Sequence, residues 1–220
     1  MIVIMLGAPG TGKGTVGSLL AEKLNIPHIS SGEIFRSYIK NDDEIGKEVQ
    51  GYVSEGKLVP DELTIRILEK RLQEPDTEKG CILDGYPRTV LQAESLDRLL
   101  KTQNRKVKVA VNLSLSDDEI VDRISKRRTC SNVDCREIYN LDFKKPKIEN
   151  VCDKCGSKLI IRDDDNEATV RKRLENYHNI SENLIEFYKN KDILYTVKLN
   201  NESNKVSSDI AKEIEEYLKK

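Results

Sequence analysis

The segment Gly7-Ala8-Pro9-Gly10-Thr11-Gly12-Lys13-Gly14-Thr15 gathers glycines, hydroxyls and one lysine into a single short stretch. It follows the apolar run Ile2-Val3-Ile4-Met5-Leu6 and precedes Val16, Leu19, Leu20 and Leu24, which recur at helical spacing. A strand, a glycine-rich turn and a helix start, in that order, make a phosphate cradle: backbone N–H groups and the positive end of the helix dipole converge on one anion. Gly7, Gly10, Gly12 and Gly14 let the backbone take positive φ values and approach a phosphate closely. Lys13 adds a mobile positive charge for the outer phosphates of a nucleotide. The residue after Lys13 is Gly14, and the hydroxyl comes one place later at Thr15, so whether Thr15 or only water organises a magnesium ion stays open.

A second group of chemically competent residues lies further along. Cys130 and Cys135 form a C-x4-C pair, and Cys152 and Cys155 a C-x2-C pair. Four thiolates satisfy a tetrahedral zinc ion, and paired cysteines in a reducing compartment point to such a structural site. Two disulfides or reduced thiols remain the alternatives, kept open by the long gap in the first pair, and spacing does not separate zinc from iron. Cys81 falls in a buried-strand pattern and reads as a small core residue. Asp84 closes that strand just before the turn Gly85-Tyr86-Pro87-Arg88. A carboxylate there can orient water around nucleotide-bound Mg2+, or more plainly cap the turn. Lone helical arginines such as Arg123 and Arg171 are expected on the solvated surface.

The elements that must position these residues follow from length and periodicity. The chain of 220 residues, 37% hydrophobic and 34% charged with net charge −1, suits one compact α/β domain with insertions. Its charge balance gives no global attraction to nucleic acid or anionic membrane. No apolar run approaches the ~20 residues that span a bilayer, and the expectation is a cytoplasmic chain without a targeting segment. Cys81-Ile82-Leu83-Asp84 reads as a short buried strand, and Val107, Val109, Val111 and Leu113 alternate with Lys108, Ala110 and Asn112 as another. Ser116 and Glu119 have capping-box spacing ahead of Ile120, Val121 and Ile124. Val170, Leu174, Tyr177, Leu184 and Tyr188 mark a long helix, Tyr195, Val197 and Leu199 a last strand, and residues 203–220 a terminal amphipathic helix. Alternating strands and helices imply a parallel sheet with ligands at the C-terminal strand ends. Two segments interrupt the alternation, about 30–59 and about 126–165, and the second carries the four cysteines.

Taken together, the chain resembles the adenylate kinases, in their long form with a zinc-bearing lid. GAPGTGKGT, SSGEIFR at 30–36, GKLVPDE at 56–62, LDGYPRTVLQA at 83–93, the four-cysteine insertion and RDDDNEATVRKRL at 162–174 carry the resemblance in order. It implies a P-loop three-layer α/β fold with a five-stranded parallel sheet and two mobile inserted subdomains. Residues 1–29, 60–125 and 166–220 would form the core, 30–59 the nucleoside-monophosphate insertion and 126–165 the lid. The implied reaction is reversible, Mg2+-dependent phosphoryl transfer from ATP to AMP giving two ADP, by a protein that is monomeric.

By the same resemblance, Gly10, Thr11, Gly12, Lys13, Gly14 and Thr15 hold the ATP phosphates, and Arg127, Ile138 and Tyr139 contact ATP from the lid. Ser31, Arg36, Lys57, Leu58, Val59, Gly85, Tyr86, Pro87, Arg88 and Gln92 would form the AMP site. Arg162 and Arg173 would bridge the phosphates, and with Lys13, Arg88 and Arg127 carry catalysis. Asp84 would hold Mg2+ through water, and Asp164 and Asp165 help hold the closed lid. The accepting phosphate oxygen is already ionised, so no strong general base is needed; alignment and charge neutralisation suffice, and guanidinium forks suit both. A glutamine offers an acceptor and a donor side by side, so Gln92 can select adenine. The alternatives are a UMP/CMP kinase, which usually carries asparagine there and a short lid, and a zinc-ribbon nucleic-acid-binding NTPase. The second would require a basic, aromatic-rich insertion. Lys144, Lys145 and Lys147 are offset by Glu149 and Asp153, and Tyr139 and Phe143 are its aromatics.

Overall fold

The computed structural model describes residues 1–41, 44–199 and 207–219. In chain order the elements begin with β1 (Ile2–Leu6), α1 (Lys13–Leu24), β2 (His28–Ser30), α2 (Ser31–Asn41), α3 (Glu44–Ser54), α4 (Asp61–Leu72), β3 (Cys81–Asp84) and α5 (Val90–Thr102). They continue with β4 (Val107–Ser114), α6 (Asp117–Ser125), β5 (Arg127–Cys130), β6 (Ile138–Asn140), β7 (Leu159–Ile160), α7 (Glu167–Asn190), β8 (Leu194–Lys198) and α8 (Ser207–Leu218). The terminal helix is therefore described from Ser207; residues 203–206 and 220 of the expected helix lie outside the described residues.

Five strands form one parallel sheet in the order β2-β3-β1-β4-β8, as expected for a P-loop α/β fold. β1 sits at its centre and is buried at every position, which is why it reads as a continuous apolar run without alternation. Its residues still divide between two faces. Ile2, Ile4 and Leu6 pack with Leu63 and Leu68 of α4, Leu96 and Leu100 of α5, and Tyr188 of α7. Val3 and Met5 pack with Val16 and Leu20 of α1 and Ile210 and Ile214 of α8. The strand pattern expected for Val107 to Leu113 holds with one difference. The register between β1 and β4 shifts after Ile2, so Val107 joins the first face while Val109, Val111 and Leu113 join the second.

β2 was not visible in the sequence pattern. It is three residues long, and its place at the sheet edge comes from pairing Ile29 with Leu83. The two interruptions take different forms: α2 and α3 pack on each other, while β6-β5-β7 form a small antiparallel sheet over the four cysteines. The Ser116–Glu119 capping box starts α6 as anticipated. No helix among the described residues is long and apolar enough to cross a membrane.

Candidate active site

The loop between β1 and α1 is held by one carbonyl. Ala8 O accepts from Thr11 Oγ1 at 2.9 Å, from Thr11 N at 3.4 Å and from Lys13 Nζ at 2.7 Å. Beneath it, Ile120 and Ile124 of α6 pack with Ala8 and with Val170 and Leu174 of α7. This packing explains Gly10: its φ is +87°, and an added Cβ would lie 2.8 Å from Ile124. α1 begins at Lys13 after a left-handed Gly12 and has no acidic residue in its first turn. Its first N–H groups, which have no acceptor within the helix, thus meet an anion-compatible end.

This loop floors a cleft of about 860 Å³. Gly10 to Thr15, Asp84, Gly85, Pro87, Arg88, Arg36, Leu58, Arg127, Ile138, Tyr139, Arg162 and Arg173 all line it. Six cationic side chains named from sequence therefore converge from separate elements. Arg127 is paired with Asp165, whose carboxylate is buried, and Arg173 donates to Asp164 Oδ2 at 2.8 Å. Arg162 Nε donates to Thr129 Oγ1 at 3.0 Å and Arg88 Nε to Gly85 O at 3.0 Å. Lys13, Arg36, Arg88 and Arg162 have no carboxylate at ion-pair distance among the described residues.

The electrostatic consequence is a set of strained cations. Desolvation pulls the Lys13 ammonium down to about 8, with Arg88, Arg173 and Arg127 adding repulsion and Asp84 opposing it. Desolvation also lowers Arg162 to about 9 and Arg88 to about 10. Arg88 is solvent-accessible yet lies within the cleft walls, so protein surrounds it while water still reaches it. A guanidinium holds its proton more firmly than any other side chain, so this strain is relieved by an anion and not by proton loss. Asp164, despite burial, is held below the usual carboxylate range by Arg173, Arg36, Arg127 and Arg162.

Several residues named from sequence stand behind the cleft wall. Ser31 is fully buried and donates to Gly85 O at 2.7 Å, which ties α2 to the turn after β3. Tyr86 and Val59 are core residues, and Gln92 is 2% exposed, with Oε1 accepting from Arg88 N at 2.8 Å. Lys57 is exposed and paired with Glu55. One expectation needs correction: Arg123, read as a solvated surface residue, lines the cleft, with its guanidinium 5.6 Å from the Phe143 ring. Helical spacing alone could not reveal this, because the ring comes from the segment after β6, twenty positions along the chain. Arg171 is on the surface, paired with Glu167.

The four lid cysteines are free thiols whose sulfurs lie within 4.8 Å of one another. Cys130 and Cys155 Sγ are 3.4 Å apart, and Cys135 and Cys152 Sγ 3.7 Å. Four sulfurs around a zinc ion are about 3.8 Å apart, given Zn–S bonds of about 2.3 Å, whereas a disulfide needs about 2.05 Å. The cluster is compatible with zinc. Its surroundings tune the thiols unequally, Ser157 drawing Cys155 down to about 6 while burial pushes Cys130 up to about 12. Tyr139 joins the two sites: it lines the cleft, and its hydroxyl lies 3.6 Å from Cys152 Sγ and accepts from Asp153 N at 2.7 Å.

A phosphate-binding loop at the C-terminal edge of a parallel sheet, faced by arginines from several segments, defines a P-loop phosphotransferase. Residues 5–193 match the family model described as adenylate kinase. The chain is 49% identical to an adenylate kinase of Acetivibrio thermocellus over 197 residues, covering 90% of each chain. It is 46% identical to one of Archaeoglobus fulgidus over 220 residues, covering 100% of this chain and 99% of that protein. An adenylate kinase of Clostridium tetani is 46% identical over 211 residues, 96% of this chain and 97% of the relative. The chain belongs to the adenylate kinase family: it is an ATP:AMP phosphotransferase.

Proposed function

We propose that the cleft carries out this reaction by holding two nucleotides end to end across Lys13, with the arginines neutralising the phosphoryl group in flight. The observation that supports it is that Lys13, Arg36, Arg88, Arg127, Arg162 and Arg173 all line the one cleft floored by the phosphate loop and the start of α1. Gly10 to Thr15 would bind the ATP phosphates through backbone N–H groups. Ile138 and Tyr139 would flank the ATP base or ribose, and the Arg123–Phe143 pair offers a flat surface nearby. Ser31, Arg36, Lys57, Leu58, Val59, Gly85, Tyr86, Pro87, Arg88 and Gln92 would build the AMP side, the buried Ser31, Val59, Tyr86 and Pro87 by shaping the wall, Gln92 by turning its amide to the base and the others by contact. Arg162 and Arg173 would span both phosphates.

Asp84 sits beside Gly14, whose added Cβ would meet Asp84 Oδ2 at 3.4 Å, and 3.7 Å from His28 Nε2. Its carboxylate is thus at the phosphate loop, suited to hold the waters of a nucleotide-bound Mg2+. The cation, when present, neutralises phosphate charge; the protein residues align the two oxygens that exchange the phosphoryl group and keep bulk water out.

In this reading residues 1–29, 60–125 and 166–220 form the core, and 30–59 and 126–165 are the two covers. The Arg136–Glu33 ion pair at 3.7 Å, which joins the cysteine-bearing lobe to α2, supports this reading. Zinc on Cys130, Cys135, Cys152 and Cys155 would staple a lobe whose buried cluster is otherwise only Tyr139 and Leu159. The protein would act as a cytoplasmic monomer with ATP, AMP and ADP as its partners and without nucleic acid.

The test is a coupled assay with Mg-ATP and, separately, AMP, CMP, UMP and GMP. Diphosphate formation fastest with AMP is expected. A pyrimidine preference would overturn the assignment of the AMP wall, and transfer to none of them would overturn the cleft reading.

A further inference from the structure

Behind the turn after β3, a small polar network fixes the amide of Gln92. Its Nε2 donates to Asp61 Oδ1 at 2.7 Å, and its Oε1 accepts from Arg88 N at 2.8 Å. The other oxygen of Asp61 accepts from Thr89 Oγ1 at 2.9 Å, while Thr89 Oγ1 in turn accepts from Gln92 N at 3.1 Å and caps α5. Asp61 is itself the first residue of α4, so two helices and the turn converge on one side chain.

The chemistry of the two clamps is asymmetric. An ionised carboxylate only accepts, and a backbone N–H only donates. Asp61 can therefore hold only the NH2 of the amide and Arg88 N only its oxygen. Turning the amide over would set its oxygen against the Asp61 carboxylate and its NH2 against the Arg88 N–H. Gln92 is 2% exposed, a burial at which an unpaired polar atom is costly. Each amide atom has nonetheless used only half its capacity: one N–H and one lone pair have no partner among the described residues. The turn that holds them, through Gly85, Pro87 and Arg88, lines the nucleotide cleft.

We propose that Asp61 is a specificity-determining positioning residue, which locks the Gln92 amide in the one orientation whose free donor and acceptor match a 6-aminopurine. The inference rests on the proposal that Gln92 faces the monophosphate's base. Adenine presents an amino donor beside a ring-nitrogen acceptor; hypoxanthine and guanine present a carbonyl acceptor beside a ring N–H donor. The second pattern needs the amide reversed, which Asp61 forbids. Discrimination then resides in a residue that does not touch the base.

The probe is inosine 5′-monophosphate against AMP, read as the ratio of kcat/KM, in the full chain. Asp61→Asn keeps size and shape but can present an NH2 to a reversed Gln92. It is expected to lower the AMP-to-IMP ratio about tenfold or more, the size of a lost hydrogen bond to a charged group. KM for Mg-ATP should stay within about twofold, since the perturbation is confined to the other nucleotide. Asp61→Ser, which suits a helix start, is the second variant should Asp61→Asn fold poorly, and is expected to move the ratio the same way. A purely structural role at the start of α4 would lower thermal stability and leave the ratio unchanged. Gln92→Ala separates the two layers of the argument. If it collapses the ratio while both Asp61 variants keep the wild-type value, the positioning role is overturned and the base contact stands. If Gln92→Ala leaves the ratio intact, the base contact itself fails and this inference with it.

Discussion

Lys13 gives the sharpest test of the cleft's electrostatics. Its ammonium is lodged against Ala8 O, desolvated and repelled by three guanidinium groups, and its pKa falls from 10.5 to about 8. A nucleotide bringing anionic oxygens to this position reverses both penalties and restores the proton. Binding should therefore take up about one-tenth of a proton at pH 7, half at pH 8 and nine-tenths at pH 9 if the bound lysine returns above about 10. The last phosphate proton of the nucleotide, with a pKa of about 6, does not interfere at pH 8 and above. Isothermal titration of a non-hydrolysable ATP analogue in buffers of differing ionisation enthalpy reads the uptake directly. Affinity should fall as pH rises through 8, approaching tenfold per pH unit. The ligand-free protein should show the opposite sign. The unfolded chain binds more protons than the native one between about pH 8 and 10.5, so the contribution of Lys13 to stability rises with pH in that window. Lys13→Met should abolish uptake and nearly all turnover without unfolding the domain. Uptake below about one-tenth of a proton at both pH 8 and pH 9, or equal uptake in Lys13→Met, would refute the reasoning.

Two further outcomes follow from the same geometry. Arg88→Ala should reduce kcat by about a hundredfold or more, the usual cost of losing one preorganised donor to a transition state, while calorimetric affinity for Mg-ATP changes little; equal losses in both would contradict its placement on the monophosphate side. Metal removal by a chelator should release one zinc per chain and lower the unfolding midpoint, because Tyr139 and Leu159 contribute only about 3–6 kcal/mol of burial to the lobe. An unchanged midpoint after complete metal release would show that the lobe holds itself.

What the sequence made legible, and what it hid, divides by the range of the interaction. The phosphate loop, the buried strand at Cys81–Asp84 and the capped start of α6 are set by neighbours in the chain, and local pattern revealed them. The edge strand His28–Ser30 was hidden because its pairing partner, Leu83, lies some fifty positions away. So was the cleft position of Arg123, whose neighbour in space, Phe143, lies twenty positions further along the chain. The network of Asp61, Thr89 and Gln92 joins two helices through contacts with no periodic signature. Arg136 illustrates the same limit at a knuckle. Its φ of 48° is a conformation glycine favours, and only the tertiary arrangement shows its guanidinium reaching Glu33 on the opposite insertion.

The distribution of carboxylates explains how so many cations share one cleft. Asp165 and Asp164 engage Arg127 and Arg173, and the pairings hold those two side chains in fixed orientations before any phosphate arrives. Among the described residues Lys13, Arg36, Arg88 and Arg162 have no carboxylate at ion-pair distance, and desolvation shifts all four, like Arg173, in the direction that disfavours the cation. They come from α1, α2, the turn after β3 and the segment after β7, so an anion that satisfies all of them must draw on four separate segments of the chain at once. In the proposed mechanism, fixing the first pair would supply alignment, and the other four would supply the unpaired charge that draws phosphate in. On that proposal no general base is required: the charge that moves during transfer is already on oxygen, and these cations would neutralise it where it accumulates.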